Sequence, residues 1–358
     1  MLGTLFALLL AVTPPPSPTA VAKKPALLGL AVNLPDSASP AERQKALEEV
    51  RRAGASVFAL ELSWPAAERR PGHYDVAAVT RTARLLRQSG AVLHLDLPLV
   101  AGRTRVVRPD LADVPFDDPR LSLALGRMLD ALGPALLDFS TLSLGNEADA
   151  YFADKPVELA AYRRLFAGAV EFLRRKAPRL LVGVATAAPT DSSAPVVAAA
   201  LHQKSPVLFY LYAPFARGSP FTHRPPDTLD RDWKAILTAA AGRPVAFTEV
   251  SFSSAGENGS SPTKQAEFVR RMRRFLESAD GAQLLFARYV PWRDPPPGSS
   301  APLTPGPLSR ERERVQPSAV EGSPGVDRRS AFFENRGLQA FDGVPKPAWR
   351  ELVRSPRR

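Results

Sequence analysis

Two dipeptides carry the residue types that nucleophilic and acid–base chemistry need. In residues 139–152, FSTLSLGNEADAYF, an apolar alternation through Leu142 and Leu144 reaches Gly145 and gives way to Asn146-Glu147. A second apolar run, residues 244–247, ends in Thr248-Glu249. A buried strand that finishes in a carboxylate suits the carboxyl edge of a parallel sheet, where α/β barrels keep their chemistry. Two glutamates at two such edges are the minimum equipment for breaking a glycosidic bond. One carboxylate attacks the anomeric carbon, and one carboxylic acid protonates the leaving oxygen. The form of this reaction that retains configuration asks for the two groups about 5–5.5 Å apart. It also asks for rigid placement, which strand ends supply better than loop tips. In such a pair Glu249, held by hydrogen bonds, stays ionised, while Glu147, beside that charge and partly desolvated, keeps its proton through a raised pKa. Each glutamate has a plainer use, capping the next helix or pairing with an arginine.

Other residue types gather near strand ends. Tyr210 and Tyr212 alternate onto one face of an apolar run, as site residues or as core. Trp64 and Trp292 fall at or just past strand ends, where an indole can lie under a sugar ring; Trp233 and Trp349 fall in helical patterns and read as packing residues. His94 and Asp96 share one face of a strand, pointing either into a barrel mouth or among helices. The other three histidines, His73, His202 and His223, are far apart and none belongs to a His-x-x-x-His pair, so no metal site is expected. A serine nucleophile elbow, Gly-x-Ser-x-Gly, is absent as well. The chemistry calls for no cofactor.

The elements that must hold these residues alternate. Apolar runs at residues 26–33, 56–64, 91–97, 139–144, 180–185, 207–212, 243–249 and 282–290 read as eight strands. Helical patterns separate them, at 40–52, 76–88, 119–132, 157–176, 195–201, 229–241 and 262–278, with a last helix from Lys346-Pro347. Ser39-Pro40-Ala41-Glu42 has capping-box spacing with Pro at the first helical position. Helix 76–88 is expected to turn Leu85 and Leu86 inward, and helix 157–176 to bury Leu159, Tyr162, Leu165, Phe166, Ala169 and Phe172. Strand and helix in strict alternation call for a parallel sheet covered by helices. Eight units, with no Gly-rich phosphate loop after the first strand, favour a closed α/β (β/α)8 TIM barrel over an open doubly wound sheet.

The chain of 358 residues is long enough for one such barrel. Its net charge is +11, and only nine of its 47 basic residues are Lys. The arginines are spread over most helices, with clusters at 270–274 and 350–358, and no aromatic-interleaved basic motif points to nucleic acid. Without Cys there are no disulfides and no thiolate metal sites. Residues 1–22 join a short apolar core to the small-x-small pattern Ala20-Val21-Ala22, as in a secretory leader too short to span a bilayer. No Lys or Arg precedes that core, and Pro14–Pro16 interrupt it before the cut. The expectation is a secreted or periplasmic monomer with no membrane span. Residues 294–330, dense in Pro, Gly, Ser and alternating Arg/Glu, read as a disordered insertion after the eighth strand. The barrel domain would then be 23–293, completed by 331–358.

With these residues in place, the chain resembles the retaining glycoside hydrolases of clan A, which are (β/α)8 barrels. The likeness rests on LSLGNEADAYF at the fourth strand and VAFTEVSFSS at the seventh. SWPAAERRPGHYD, VPW and GLQAFDGVPKPAW support it. The resemblance implies Glu147 as acid/base, Glu249 as nucleophile and Asn146 as a donor to the sugar 2-hydroxyl. It implies a tyrosine touching the nucleophile, with Tyr212 the better placed and Tyr210 the other candidate, and a sugar-binding tryptophan at Trp292. The acidic residue often found near the start of strand six is missing, with Ser205-Pro206 in its place. The substrate implied is a β-linked oligo- or polysaccharide. A non-catalytic carbohydrate-binding barrel and a transglycosylase using the same pair are the competing readings.

Overall fold

The structure, a computed structural model, describes residues 25–35, 37–296, 298 and 327–354. The leader-like residues 1–22 and most of the expected insertion lie outside these described residues. Eight barrel strands occur in chain order: Leu27–Leu30, Val57–Glu61, Val92–Asp96, Thr141–Ser143, Leu181–Gly183 continued by Ala185–Ala187, Leu208–Tyr212, Val245–Val250 and Leu284–Tyr289. All pair in parallel with their sequence neighbours, and the eighth returns to the first, with Leu27 opposite Phe286. Closure happens at the fifth strand. Its first half pairs with Thr141–Ser143, and after Val184 its second half pairs with the sixth strand, Ala185 opposite Phe209. The (β/α)8 barrel expected from the alternation is the fold.

Strand alternation sorts side chains into two layers. Outward residues, among them Leu93, Leu95, Leu142, Leu144, Val182 and Phe247, join the helices in the main core. Inward residues form a smaller apolar plug of Val57, Ala185, Phe209, Ala246 and Phe286. Gly183 makes room for it, since a Cβ there would lie 2.8 Å from the Phe209 ring.

Five of the strand-connecting helices and the last helix open on Pro at the first helical turn, which accounts for part of the Pro content without breaking any of them. The capping box at Ser39 forms as its spacing foretold, with Ser39 and Glu42 bonded reciprocally. Helix Pro156–Lys176 buries Tyr162, Leu165, Phe166 and Ala169 as expected, while Leu159 and Phe172 are half-buried. In helix Ala77–Gln88 Leu86 packs half-buried against the core as expected, but Leu85 does not: it is 62% exposed, on the solvent side of the turn, and Ala83 is the helix's fully buried contact.

Two hairpins without a clear signature in the sequence rise after the third and sixth strands, Val100–Ala101 with Thr104–Arg105 and Phe215–Ala216 with Ser219–His223. After the eighth strand the chain resumes earlier than expected. Asp327 caps helix Arg328–Glu334, so residues 328–330 are helical. At the other end of that segment Asp294 is buried, accepting from the Gly337 amide at 2.7 Å and pairing with Lys346 at 2.5 Å. Among the described residues no helix is long and apolar enough to cross a membrane.

Candidate active site

Glu249 belongs to the seventh strand, where strict alternation would turn it outward with Phe247. A β-bulge prevents this. In register with the sixth strand, Phe247 lies opposite Tyr210 and Glu249 opposite Leu211, so Thr248 is an extra residue. The bulge carries Glu249 to the barrel side while Val250 returns to the outer core. The Thr248 carbonyl freed by the bulge accepts from Arg288 Nε at 2.8 Å.

Asn146 and Glu147 come directly after the fourth strand. The Asn146 amide donates to Val100 and its carbonyl accepts from Gly102, so the hairpin after the third strand grips this turn from beside it. Glu147 is exposed and takes a left-handed conformation, φ 48° and ψ 38°, which few non-glycine residues adopt. Across the mouth, Asn146 Nδ2 donates to Glu249 Oε1 at 3.2 Å, joining positions 103 residues apart. A carboxylate only accepts, so the Nδ2 assignment is fixed by its partner. Asn146 Oδ1 is left buried without a partner.

Beneath this pair the barrel interior holds a polar network. His94 lies among the inward rings of Phe209 and Phe286, settling which way it faces. Its Nδ1 meets Thr141 Oγ1 at 2.8 Å and its Nε2 meets Asp96 at 3.1 Å. Burial pushes the Asp96 carboxyl up, but the charge and hydrogen bond of His94, with Arg288 4.0 Å away, hold it below the ordinary carboxyl range. Arg288 threads past Gly29, where a Cβ would lie 3.0 Å from its stem.

Above the pair sits Arg336, from the segment after the eighth strand. Its guanidinium stacks on Phe332 and Phe333, and its carbonyl accepts from the Tyr289 hydroxyl at 3.0 Å. Burial lowers the Arg336 pKa; the charges of Glu249, then Tyr289 and Glu147, act in the opposite sense. One guanidinium thus lies within electrostatic reach of both glutamates. Glu249 forms no ion pair among the described residues.

Four expected site residues are placed elsewhere. Tyr212 is 1% exposed and faces the helices, donating to Asp232 at 3.0 Å and packing on Trp233 and Phe268; it does not reach Glu249. Tyr210, on the same outward face, packs edge-on against His202. Burial pushes its hydroxyl up to about 12. Trp64 is fully buried with Nε1 on Glu68 at 2.7 Å, and Trp292 is fully buried against Trp349 under the Arg293 guanidinium. Neither indole offers a face to a sugar. For the two tyrosines the cause is that both faces of a barrel strand are apolar, so alternation alone does not tell inward from outward. The two tryptophans lie beyond their strands, Trp64 opening a short helix and Trp292 following the eighth strand, where period gives no direction. Trp233 and Trp349 are packing residues, as expected. The sequence pattern did not single out Arg288 or Arg336. Arg288 was legible as a lone charge inside an apolar run, whereas Arg336 lies in a stretch without periodicity.

No protein-family model and no curated protein matches the chain. Solved structures do. A glycoside hydrolase of family 5, subfamily 18, from Streptomyces cattleya, crystallised with GlcNAc, is similar at TM-score 0.64 and 15% identity, over 93% of this chain and 80% of that one. A family 39 glycoside hydrolase from Bacteroides cellulosilyticus WH2 is similar at TM-score 0.60 and 13% identity, over 92% and 63%. Native xylanase 10B from Thermotoga maritima is similar at TM-score 0.57 and 12% identity, over 92% and 94%. At these identities the likeness is one of fold.

Proposed function

We propose that this chain is a retaining glycoside hydrolase acting on β-linked oligo- or polysaccharide, with Glu249 as nucleophile and Glu147 as acid/base. The observation that carries the reading is the Asn146–Glu249 hydrogen bond, which draws the ends of the fourth and seventh strands together with Glu147 next in sequence. The barrels it resembles, among them a xylanase and a family 5 enzyme crystallised with GlcNAc, support the same class.

In the first step Glu249 attacks the anomeric carbon as the glycosidic C–O bond breaks, and the leaving oxygen takes the proton of Glu147. Glu249 is then an ester and Glu147 an anion. Glu147 next removes a proton from water, whose oxygen attacks the anomeric carbon. The ester bond breaks, Glu249 regains its charge and Glu147 its proton. Asn146 fixes the Glu249 carboxylate with one Nδ2–H and keeps the other to donate to the sugar 2-hydroxyl.

A panel of activated 2-deoxy-2-fluoro glycosides tests this directly. One of them should label Glu249 covalently, and Glu147→Gln and Glu249→Gln should each lower turnover by orders of magnitude with the fold intact by circular dichroism. Turnover at the wild-type level in either variant would sink the assignment.

A further inference from the structure

Arg336 is 6% exposed, yet its donors are scarcely used. Nη1 reaches Ser251 Oγ at 3.5 Å, the outer limit of a hydrogen bond. Nε is enclosed without a partner, and Nη2 makes no hydrogen bond among the described residues. Phe332 at 5.3 Å and Phe333 at 4.7 Å hold the guanidinium from behind, and Ser251 stands two residues beyond Glu249.

Other buried arginines here are spent on the protein itself. Arg288 donates to the Thr248 carbonyl, and Arg108 pairs with Glu68 and with Asp110 at 2.5 Å. A desolvated cation with idle donors is unfavourable unless a ligand takes them up. Its planar fork matches a carboxylate, with two parallel N–H bonds to two oxygens. An acidic sugar entering this mouth would be repelled by Glu249, and a buried guanidinium beside it offsets that repulsion.

We propose that Arg336 is a substrate-binding residue for an acidic sugar, its guanidinium taking the carboxylate of a uronic acid unit seated beside Glu249. This rests on the barrel mouth being a sugar site, and it names the class of sugar. The competing role is a counter-charge to Glu249 that never meets substrate.

Calorimetric titration of the full chain with matched methyl β-glycosides separates the two. The pairs are glucuronide with glucoside, galacturonide with galactoside, and mannuronide with mannoside. At least one uronide should bind about tenfold or more tightly than its neutral partner, the worth of a charged hydrogen bond. Arg336→Met should abolish that preference, bringing the uronide-to-neutral affinity ratio to about one, and Arg336→Lys should keep part of it. Uronides that bind no better than neutral partners overturn the proposal, as does a variant that weakens both alike. The wild-type preference needs no variant, so a misfolded Arg336→Met does not rescue a failed result. Because binding is read without turnover, absence of covalent label on Glu249 counts against the hydrolase and leaves this comparison standing.

Discussion

Glu147 holds a backbone conformation that glycine takes freely and that costs another residue on the order of 1–3 kcal/mol. Such strain persists only where the surroundings impose it, here the hairpin bonds on either side of Asn146. Glu147→Gly should therefore leave folding stability unchanged or raise it by about 1 kcal/mol in urea denaturation, while turnover is lost. A loss of stability beyond about 1 kcal/mol would mean that the side chain, not the strained turn, secures this corner. At this scale the sequence was informative where residue type broke a pattern. Asn146-Glu147 and Glu249 are polar residues ending apolar runs, and Asn146 meets Glu249 across the mouth. Trp64, Trp292, Tyr210 and Tyr212 were apolar or aromatic among apolar neighbours, so nothing in their type marked the face they occupy.

Strand and helix order was legible because periods of 2 and 3.6 repeat through the whole chain. The bulge at Thr248 was not, because one added residue leaves composition untouched while swapping the face of every later residue in the strand. Arg288 braces that bulge from inside the barrel and stands 4.0 Å from Asp96. Arg288→Met would orphan the buried Thr248 carbonyl and remove a cation from Asp96. The expected loss is about 1–3 kcal/mol in chemical denaturation, with lower turnover as Glu249 loosens. Unchanged stability would show that the bulge stands without its brace.

For the molecule as a whole, pH acts through groups far from the chemistry. Burial pulls His202 down to about 4 and His223 to about 3. Below pH 6.5 the unfolded chain takes up protons that the folded histidines refuse, so their contribution, full above 6.5, is lost on acidification through about 4 and about 3. Asp191 runs the other way. Burial, against the pull of Arg224 and with the push of Asp232, raises it to about 7. Its contribution is full below 3.8 and lost as pH rises through about 7. Burial raises Asp149 and Asp294 in the same sense as Asp191, so in the wild type these carboxyls partly offset the histidine loss between pH 6.5 and 4.5. Asp191→Asn, lacking one opposing group, should lose stability more steeply in urea midpoints across that range. A flat profile in that variant would count against buried neutral histidines.

The divided fifth strand has a consequence for how copies of this chain can meet. Since its halves serve different neighbours, the fifth stave as a whole is bonded on both sides, while each three-residue half keeps one partner and one open edge. A foreign polypeptide seeking to zip itself on finds, among the described residues, only those two three-residue edges and two short hairpins at the rim, too little length for the sheet-to-sheet growth that seeds fibrils.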